Sequence, residues 1–377
     1  MLTPEQVAGL QLAFEHITDP ITKFLIEDIA RRIKDAGELT STAAYQAFRL
    51  QFLGKGMPWI EEQLAALMGV AADEAAELLE QAAAFGYTND VKNLGGAVEF
   101  KDNPSMQQIV SAATSLAKSD LTNITQTIGF IGKDGVSRTL TDAYINATDF
   151  AFNQIMTGAL DYNTAIRKAC GKLASQGIQS IDYASGVHTS LESAVRRNMM
   201  GGAGLMVEQI SQSNYEQLGA DGWEISAHAN SAPDHEPIQG KQYTNAEFQR
   251  LNNSLVRRIG TLNCGHNAYP IILGVSEPVY TRSELKKFRS DNDKGVSYNG
   301  RKFKTKYEAV QYQRQIERSI RAWERRAMIG TYDDAEPRLR ILRQEYKRFS
   351  KAVGLRTEEE RLYVAGFGAS QRNKRGR

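Results

Sequence analysis

The chain has 377 residues, of which 41% are hydrophobic and 24% charged; this is ordinary globular composition and excludes a chain disordered throughout. No run of about 18 apolar residues occurs, so no membrane-spanning helix is expected. Two cysteines, Cys170 and Cys264, exclude a disulfide framework and fit a reducing assembly compartment. The opening residues MLTPEQVAGLQLAFEH lack the basic start and apolar core of a secretory signal.

The net charge of +2 hides a split. From Arg282 to Arg377 there are 26 Lys and Arg against 13 Asp and Glu, whereas the preceding residues carry 20 against 31. Such polarity between the two ends implies different surroundings for each. A basic end suits nucleic acid or an acidic protein surface; the plainer reading is a well-solvated helical face.

The first hundred residues read as helices. Thr3-Pro4-Glu5-Gln6 is a capping box with proline at the first helical position. Asp19-Pro20 opens a helix whose Ile21, Leu25, Ile29 and Ile33 share one face and which Gly37 stops. Further helices are predicted over Thr42–Phe52, Pro58–Met68 and Ala72–Ala84, their stripes serving as scaffold.

Helical spacing continues over Ser105–Gly129, Leu140–Ala159 and Tyr162–Gly177, with Cys170 expected as a buried small apolar residue, and again over Ser190–Asn198. Met199-Met200-Gly201-Gly202-Ala203-Gly204 breaks the pattern. It lacks the spacing of the known phosphate-binding glycine loops, so a flexible or tightly packed connection is expected there. Gly222–His228 alternates like a strand, and Asn267–Gly274 is a second short strand candidate. The middle is therefore α+β.

Asn299-Gly300 signals a hairpin turn. Tyr307–Ile329 is predicted helical, with Tyr312, Ile316, Ile320, Trp323 and Ala327 on one face and Arg314, Arg318, Arg321 and Arg325 on others. A second helix carries Leu339, Leu342, Tyr346, Phe349 and Val353 as a coiled-coil-like seam and ends at Gly354. The connection Gly330–Pro337 is short enough for an antiparallel pair, and the closing QRNKRGR, with Arg372, Lys374 and Arg375, is expected to be disordered when unbound. The fold class is thus α+β and predominantly helical: a helical region over 1–100, a small α+β domain over 101–281, and a basic helical hairpin with a tail over 282–377.

Three of the five histidines fall between residues 228 and 266. Zinc takes imidazole, thiolate and carboxylate donors in tetrahedral geometry, so His228, His235, Cys264 and His266 form a candidate set, with Asp234 as a spare ligand or as the orienter of a histidine. Cys264 and His266 chelate together only through a tight turn, which Gly265 permits. The paired cysteines of zinc knuckles are absent. The plainer reading is a polar core whose groups hydrogen-bond to one another. Two enzymatic readings compete with it: a His-Asn-His metallonuclease using Asp234-His235 and His266-Asn267, and a Cys264 nucleophile with His266 as base.

At these residues the chain resembles a known family. LTPEQ, IEDIARRI (Ile26–Ile33) and RRNMMGG (Arg196–Gly202) carry part of the likeness. Its most specific blocks are SAHANSAPDHEPIQGKQY (Ser226–Tyr243), with a His…Pro-x-His…Gln-Gly pattern, and LNCGHNAYPIILGVSEPVYT (Leu262–Thr281), with Asn-Cys-x-His. It continues through Tyr307–Arg325 and Gly354–Gly368. Together these resemble the phage minor capsid protein 2 family, related to the head-morphogenesis proteins named after the F protein of phage Mu. The resemblance implies a low-copy head component near the portal vertex, present in the bacterial cytoplasm during assembly. Taken with the charge split, that role would have it dock by its acidic helical part on portal or major capsid protein, with the basic end, including Arg314, Arg318, Arg321, Arg325, Arg372, Lys374 and Arg375, near packaged double-stranded DNA. The family's matching positions are His228, Asp234, His235, Gln239, Gly240, Cys264 and His266, as a structural or metal centre; zinc is the one cofactor they point to. A metal-dependent nuclease or hydrolase, or an effector carried in the virion, are the alternatives.

Overall fold

Helix α1 (Pro4–His16) begins as its sequence predicts. The Thr3 hydroxyl accepts from the Gln6 N–H at 3.2 Å, and the Gln6 side chain accepts from the Thr3 N–H at 2.9 Å. In α2 (Asp19–Gly37) the stripe Ile21, Leu25, Ile29 and Ile33 is buried. The computed structural model describes residues 2–96, 98–131, 137–176, 178–181, 188–261, 264–329 and 334–364.

After α3 (Thr42–Gln51) and a π-helical turn at Phe52–Gly56, a single helix, α4, runs from Met57 to Leu94. Two shorter helices were expected here. The apolar period does not break between them: Leu64, Met68, Ala71, Ala75, Leu79 and Ala82 are all buried at three- and four-residue spacing, and Gly69 lies in open space. Burial of one continuous face outweighs the small helix cost of one glycine.

Helix α5 (Pro104–Gln126) stops short of the expected Gly129, because β1 (Ile128–Ile131) begins there. With β2 (Ser137–Thr139), β3 (Gln179–Ile181) and β4 (His188–Ser190) it forms an antiparallel sheet in the order β2-β1-β3-β4. Helices α6 (Leu140–Met156) and α7 (Tyr162–Gln176) lie between the two hairpins.

Helix α8 (Leu191–Gln217) passes straight through the glycine cluster, correcting the expected interruption. Met199, Met200, Ala203, Met206 and Val207 are buried on its inner face. Gly204 is where another chain segment comes closest: a Cβ there would sit 1.7 Å from the Gly260 carbonyl oxygen. Gly204 permits this close packing while the helix continues. The largest core draws on α1, α2 and α4 to α8, from Leu2 to Ile210, and includes Phe14, Leu25, Ile60, Leu79, Tyr144 and Val195.

A second antiparallel sheet has the order β6-β5-β7, from β5 (Gly222–Ile225), β6 (Gln242–Thr244) and β7 (Ala268–Ile271). β5 is central and buried along its whole length. Helix α9 (Asn245–Ser254) closes a small core of Trp223, Ile225, Phe248, Ile259 and Cys264. Thr244-x-x-Glu247 and Thr281-x-x-Glu284 are capping boxes that start α9 and α10 (Arg282–Asp293).

β8 (Val296–Tyr298) and β9 (Arg301–Phe303) form the predicted hairpin. Asn299 and Gly300 both have positive φ, 48° and 78°, as a type I′ turn requires. Helices α11 (Lys306–Ile329) and α12 (Ala335–Val353) pack on each other, burying Ile316, Ile320, Leu339, Tyr346, Phe349 and Val353. Gly354 (φ 67°) and the Leu355 N–H bond to the Ser350 carbonyl, 2.8 Å, complete the predicted Schellman stop. Part of the α11–α12 connection lies outside the described residues, as does the closing segment with Arg372, Lys374 and Arg375. Helix α11 also packs against α2 and α7. The fold is α+β and predominantly helical, and no described helix is long and apolar enough to cross a membrane.

Candidate metal centre

The strand β5 ends at Ile225, and the chain then turns back beside the residues that lead into β7. Ser226 N–H donates to the Asn267 carbonyl at 2.8 Å, and Asn267 N–H donates to Ser226 Oγ at 2.9 Å. A tight turn follows, with His235 and Glu236 N–H groups donating to the Ala232 carbonyl and Gln239 N–H to that of His235. Gly240 returns the chain to β5, its N–H donating to the Ile225 carbonyl at 2.8 Å. Its φ of 65° favours glycine, and a Cβ there would also push aside the end of the Leu285 side chain.

These turns bring His235, Cys264 and His266 together, all buried, with their donor atoms within 4.8 Å of one another. Cys264 Sγ lies 3.2 Å from His235 Nδ1 and 3.6 Å from His266 Nδ1. Tetrahedral zinc, with Zn–S of about 2.3 Å and Zn–N of about 2.0–2.1 Å, places sulfur and nitrogen about 3.5 Å apart. The far side of each ring fixes which nitrogen faces the sulfur. His235 Nε2 donates to the Arg257 carbonyl at 2.8 Å, and His266 Nε2 donates to Gln239 Oε1 at 2.9 Å. Both Nδ1 lone pairs are thereby aimed at Cys264, the arrangement in which an outer hydrogen bond orients a metal-bound imidazole.

The protonation states agree. Burial pushes His266 down to about 2, with the charges of His228, His235 and Arg257 acting in the same direction. Burial likewise lowers His235 and His228, so all three rings are neutral and present free lone pairs. Burial raises the Cys264 thiol, although the His266 backbone N–H works against it. A bound dication would remove that proton. The residues therefore fit zinc: one thiolate and two imidazoles would hold it, and its chemistry there would be Lewis acidity or a cross-link between the 231–240 turn and the strand β7.

The other two expected ligands are placed elsewhere. His228 stacks its ring on His266, with centroids 4.3 Å apart, but its Nε2 has no partner and abuts Gly265. Its backbone N–H donates to the same Gln239 oxygen that His266 uses, at 3.1 Å, so Gln239 ties the two histidines together. Asp234 is half exposed and pairs with Arg257 at 3.1 Å. It approaches His235 only at Nε2, 3.6 Å away, on the side turned from the sulfur. Ser231, whose hydroxyl lies 3.3 Å from His266 Nε2, and Arg257, whose carbonyl orients His235, were not foreseen. A carbonyl partner and a single serine leave no mark in residue spacing.

The arginines of α11 divide sharply. Arg321 and Arg325 are buried, which corrects their expected place on a solvent face. Arg321 pairs with Glu15 at 2.6 Å and Glu192 at 3.3 Å, and Arg325 with Glu192 at 3.5 Å. Arg314 pairs with Glu317 and Glu358 at 2.9 and 3.3 Å. Arg318 alone of the four is exposed. The exposed basic surface of the C-terminal part instead includes Lys286 and Lys287 on α10, Arg301 and Lys302 on the hairpin, and Arg340, Lys347, Arg348 and Lys351 on α12.

No curated protein and no solved structure matches this chain. A family model does: that of phage minor capsid protein 2, over residues 2–352. The match takes in α1 through nearly all of α12, and so the helical core, the His/Cys turn and the basic hairpin together. The chain belongs to the phage minor capsid protein 2 family and is a structural component of the phage head.

Proposed function

We propose that this protein is a low-copy head component seated near the portal vertex, with its acidic helical part against portal or major capsid protein and its basic end toward packaged DNA. The observation that carries this reading is the family match over residues 2–352 taken with the charge split at Arg282. Burial sharpens it. The charges of Arg321 and Arg325 are neutralised inside the protein, so DNA would meet α12, where Arg340, Lys347 and Lys351 recur at seven- and four-residue spacing on one exposed face. Contact there would be to phosphates, independent of sequence and weakened by salt. The His/Cys centre, in this reading, is a cross-link that fixes the 231–240 turn.

The test is cross-linking in DNA-filled heads. Protein cross-links from residues before Arg282 to portal or major capsid protein, with ultraviolet DNA cross-links confined to α10, β8–β9 and α12, support the reading. DNA cross-links concentrated before Arg282 would contradict it.

A further inference from the structure

The His/Cys trio lines one side of a cavity of about 340 Å³, whose other walls come from α1, α8, α11 and Arg361. Among the described residues that line it are six arginines, Arg196, Arg257, Arg314, Arg318, Arg321 and Arg361, against two carboxylates, Glu15 and Glu317. Four of the arginines are engaged: Arg257 by Asp234, Arg314 by Glu317 and Glu358, Arg321 by Glu15 and Glu192, and Arg361 by Glu15 and Glu358. Arg196 and Arg318 have no ion pair or hydrogen bond among the described residues.

Arg196 is the more telling of the two. It projects from α8, is half-buried, and its nearest acids, Glu15 and Glu192, are already taken by Arg321, Arg361 and Arg325. A half-buried cation with no ion pair of its own costs solvation, and an anion bound in the cavity would restore the balance. Nine buried side-chain atoms among the described residues lack a hydrogen-bond partner, and three of them are guanidinium donors of residues lining this cavity, Nε of Arg196, Arg257 and Arg321. Arg321 is 3% exposed, so water does not satisfy it from outside.

These donors come from α8, α11 and the 228–266 segment. A planar carboxylate is satisfied by one guanidinium fork, whereas a tetrahedral polyanion accepts from several directions. We propose that the cavity is an oxyanion site that takes a phosphate group, either the free ion or the terminal monophosphate of a nucleic-acid strand, with Arg196 as its principal cation. The arginines make the site, and it does not depend on metal at the neighbouring trio.

The experiment uses the full chain, freed of phosphate and metal, with inorganic phosphate added in a calorimetric titration and a parallel melting series. The expected result is saturable binding and a rising melting temperature, with affinity at least tenfold lower in Arg196→Gln. Arg250→Gln on the exposed face of α9, away from the cavity, should bind as the parent does. If Arg196→Gln does not fold, Arg318→Gln at the surface replaces it, with a several-fold loss expected. A 5′-phosphorylated single-stranded oligonucleotide that displaces phosphate, where its unphosphorylated twin does not, assigns the strand terminus as the source; displacement by neither assigns the free ion. No saturable phosphate binding by the parent chain, or equal binding by the arginine variant, overturns the proposal.

Discussion

Arg321 on α11 and Glu15 on α1 meet at 2.6 Å, both buried, although 306 positions separate them in the chain. The same guanidinium donates to the Arg361 carbonyl at 2.7 Å and reaches Glu192 of α8 at 3.3 Å. One side chain thus joins the first helix, the long glycine-containing helix and the turn after α12. Removing one member of a buried pair leaves an uncompensated charge and costs about 3–5 kcal/mol. Arg321→Met leaves Glu15 with Arg361 and Glu192 with Arg325, so in urea unfolding it is expected to destabilise the chain by less than that. Arg321→Met with Glu15→Gln together should cost less than the sum of the two, because the two side chains interact directly.

His16 sets a pH dependence near neutrality. Its Nδ1 lies 2.6 Å from Asp19 Oδ2 and its Nε2 lies 3.1 Å from the Glu360 carbonyl, tying α1 to α2 and to the C-terminal turn. Burial works to lower its pKa, but the hydrogen bond and charge of Asp19 outweigh this and hold it above the ordinary 6.5. The protonated form is therefore favoured by folding. The stability it contributes is fully present below pH 6.5 and lost as pH rises through the raised value. Melting temperature measured from pH 6 to 9 should fall less steeply in His16→Gln than in the parent.

The glycines of α8 are predicted to behave in opposite ways. A Cβ at Gly204 would collide with the Gly260 carbonyl, whereas Gly201 and Gly202 face open space within the helix. Gly204→Ala should destabilise by about 1–3 kcal/mol or more, since backbone must shift. Gly202→Ala should stabilise by roughly 0.5–1 kcal/mol through helix propensity. Paired melting curves of the two variants decide this.

That contrast also marks where the sequence was readable. The Thr3 capping box, the Asn299-Gly300 turn, the Gly354 stop and the Leu339-to-Val353 seam are local signals, and each leads to the structure it predicts. The capping boxes at Thr244 and Thr281 are equally local and would have located α9 and α10. The β2-β1-β3-β4 sheet was not legible, because strands of three or four residues are too short to establish alternation. The burial of Arg321 and Arg325 was not legible either, since it depends on Glu15 and Glu192, distant in sequence. At the His/Cys centre the residue types identified the trio. They did not tell that His228 and Asp234 stand aside, because one-residue differences in turn geometry decide which ring nitrogen faces Cys264.

The metal reading makes its own demand. The trio predicts one zinc per chain, with Cys264→Ser and His266→Ala each abolishing it. Stabilisation of a folded state by a ligand held at a hundred times its dissociation constant is about 2.7 kcal/mol, so chelation should lower the melting temperature of the parent and leave Cys264→Ser unmoved. His228→Ala should retain zinc, as its ring is outside the trio. Elemental analysis of the purified proteins, with melting curves with and without chelator, checks each point.

The head assignment itself is tested most directly by counting. Quantitative mass spectrometry of purified DNA-filled particles, calibrated against the portal protein, should find this chain at a copy number comparable to or below that of the portal. Its absence from mature particles, or a copy number approaching that of the major capsid protein, would contradict the proposed seat near the portal vertex.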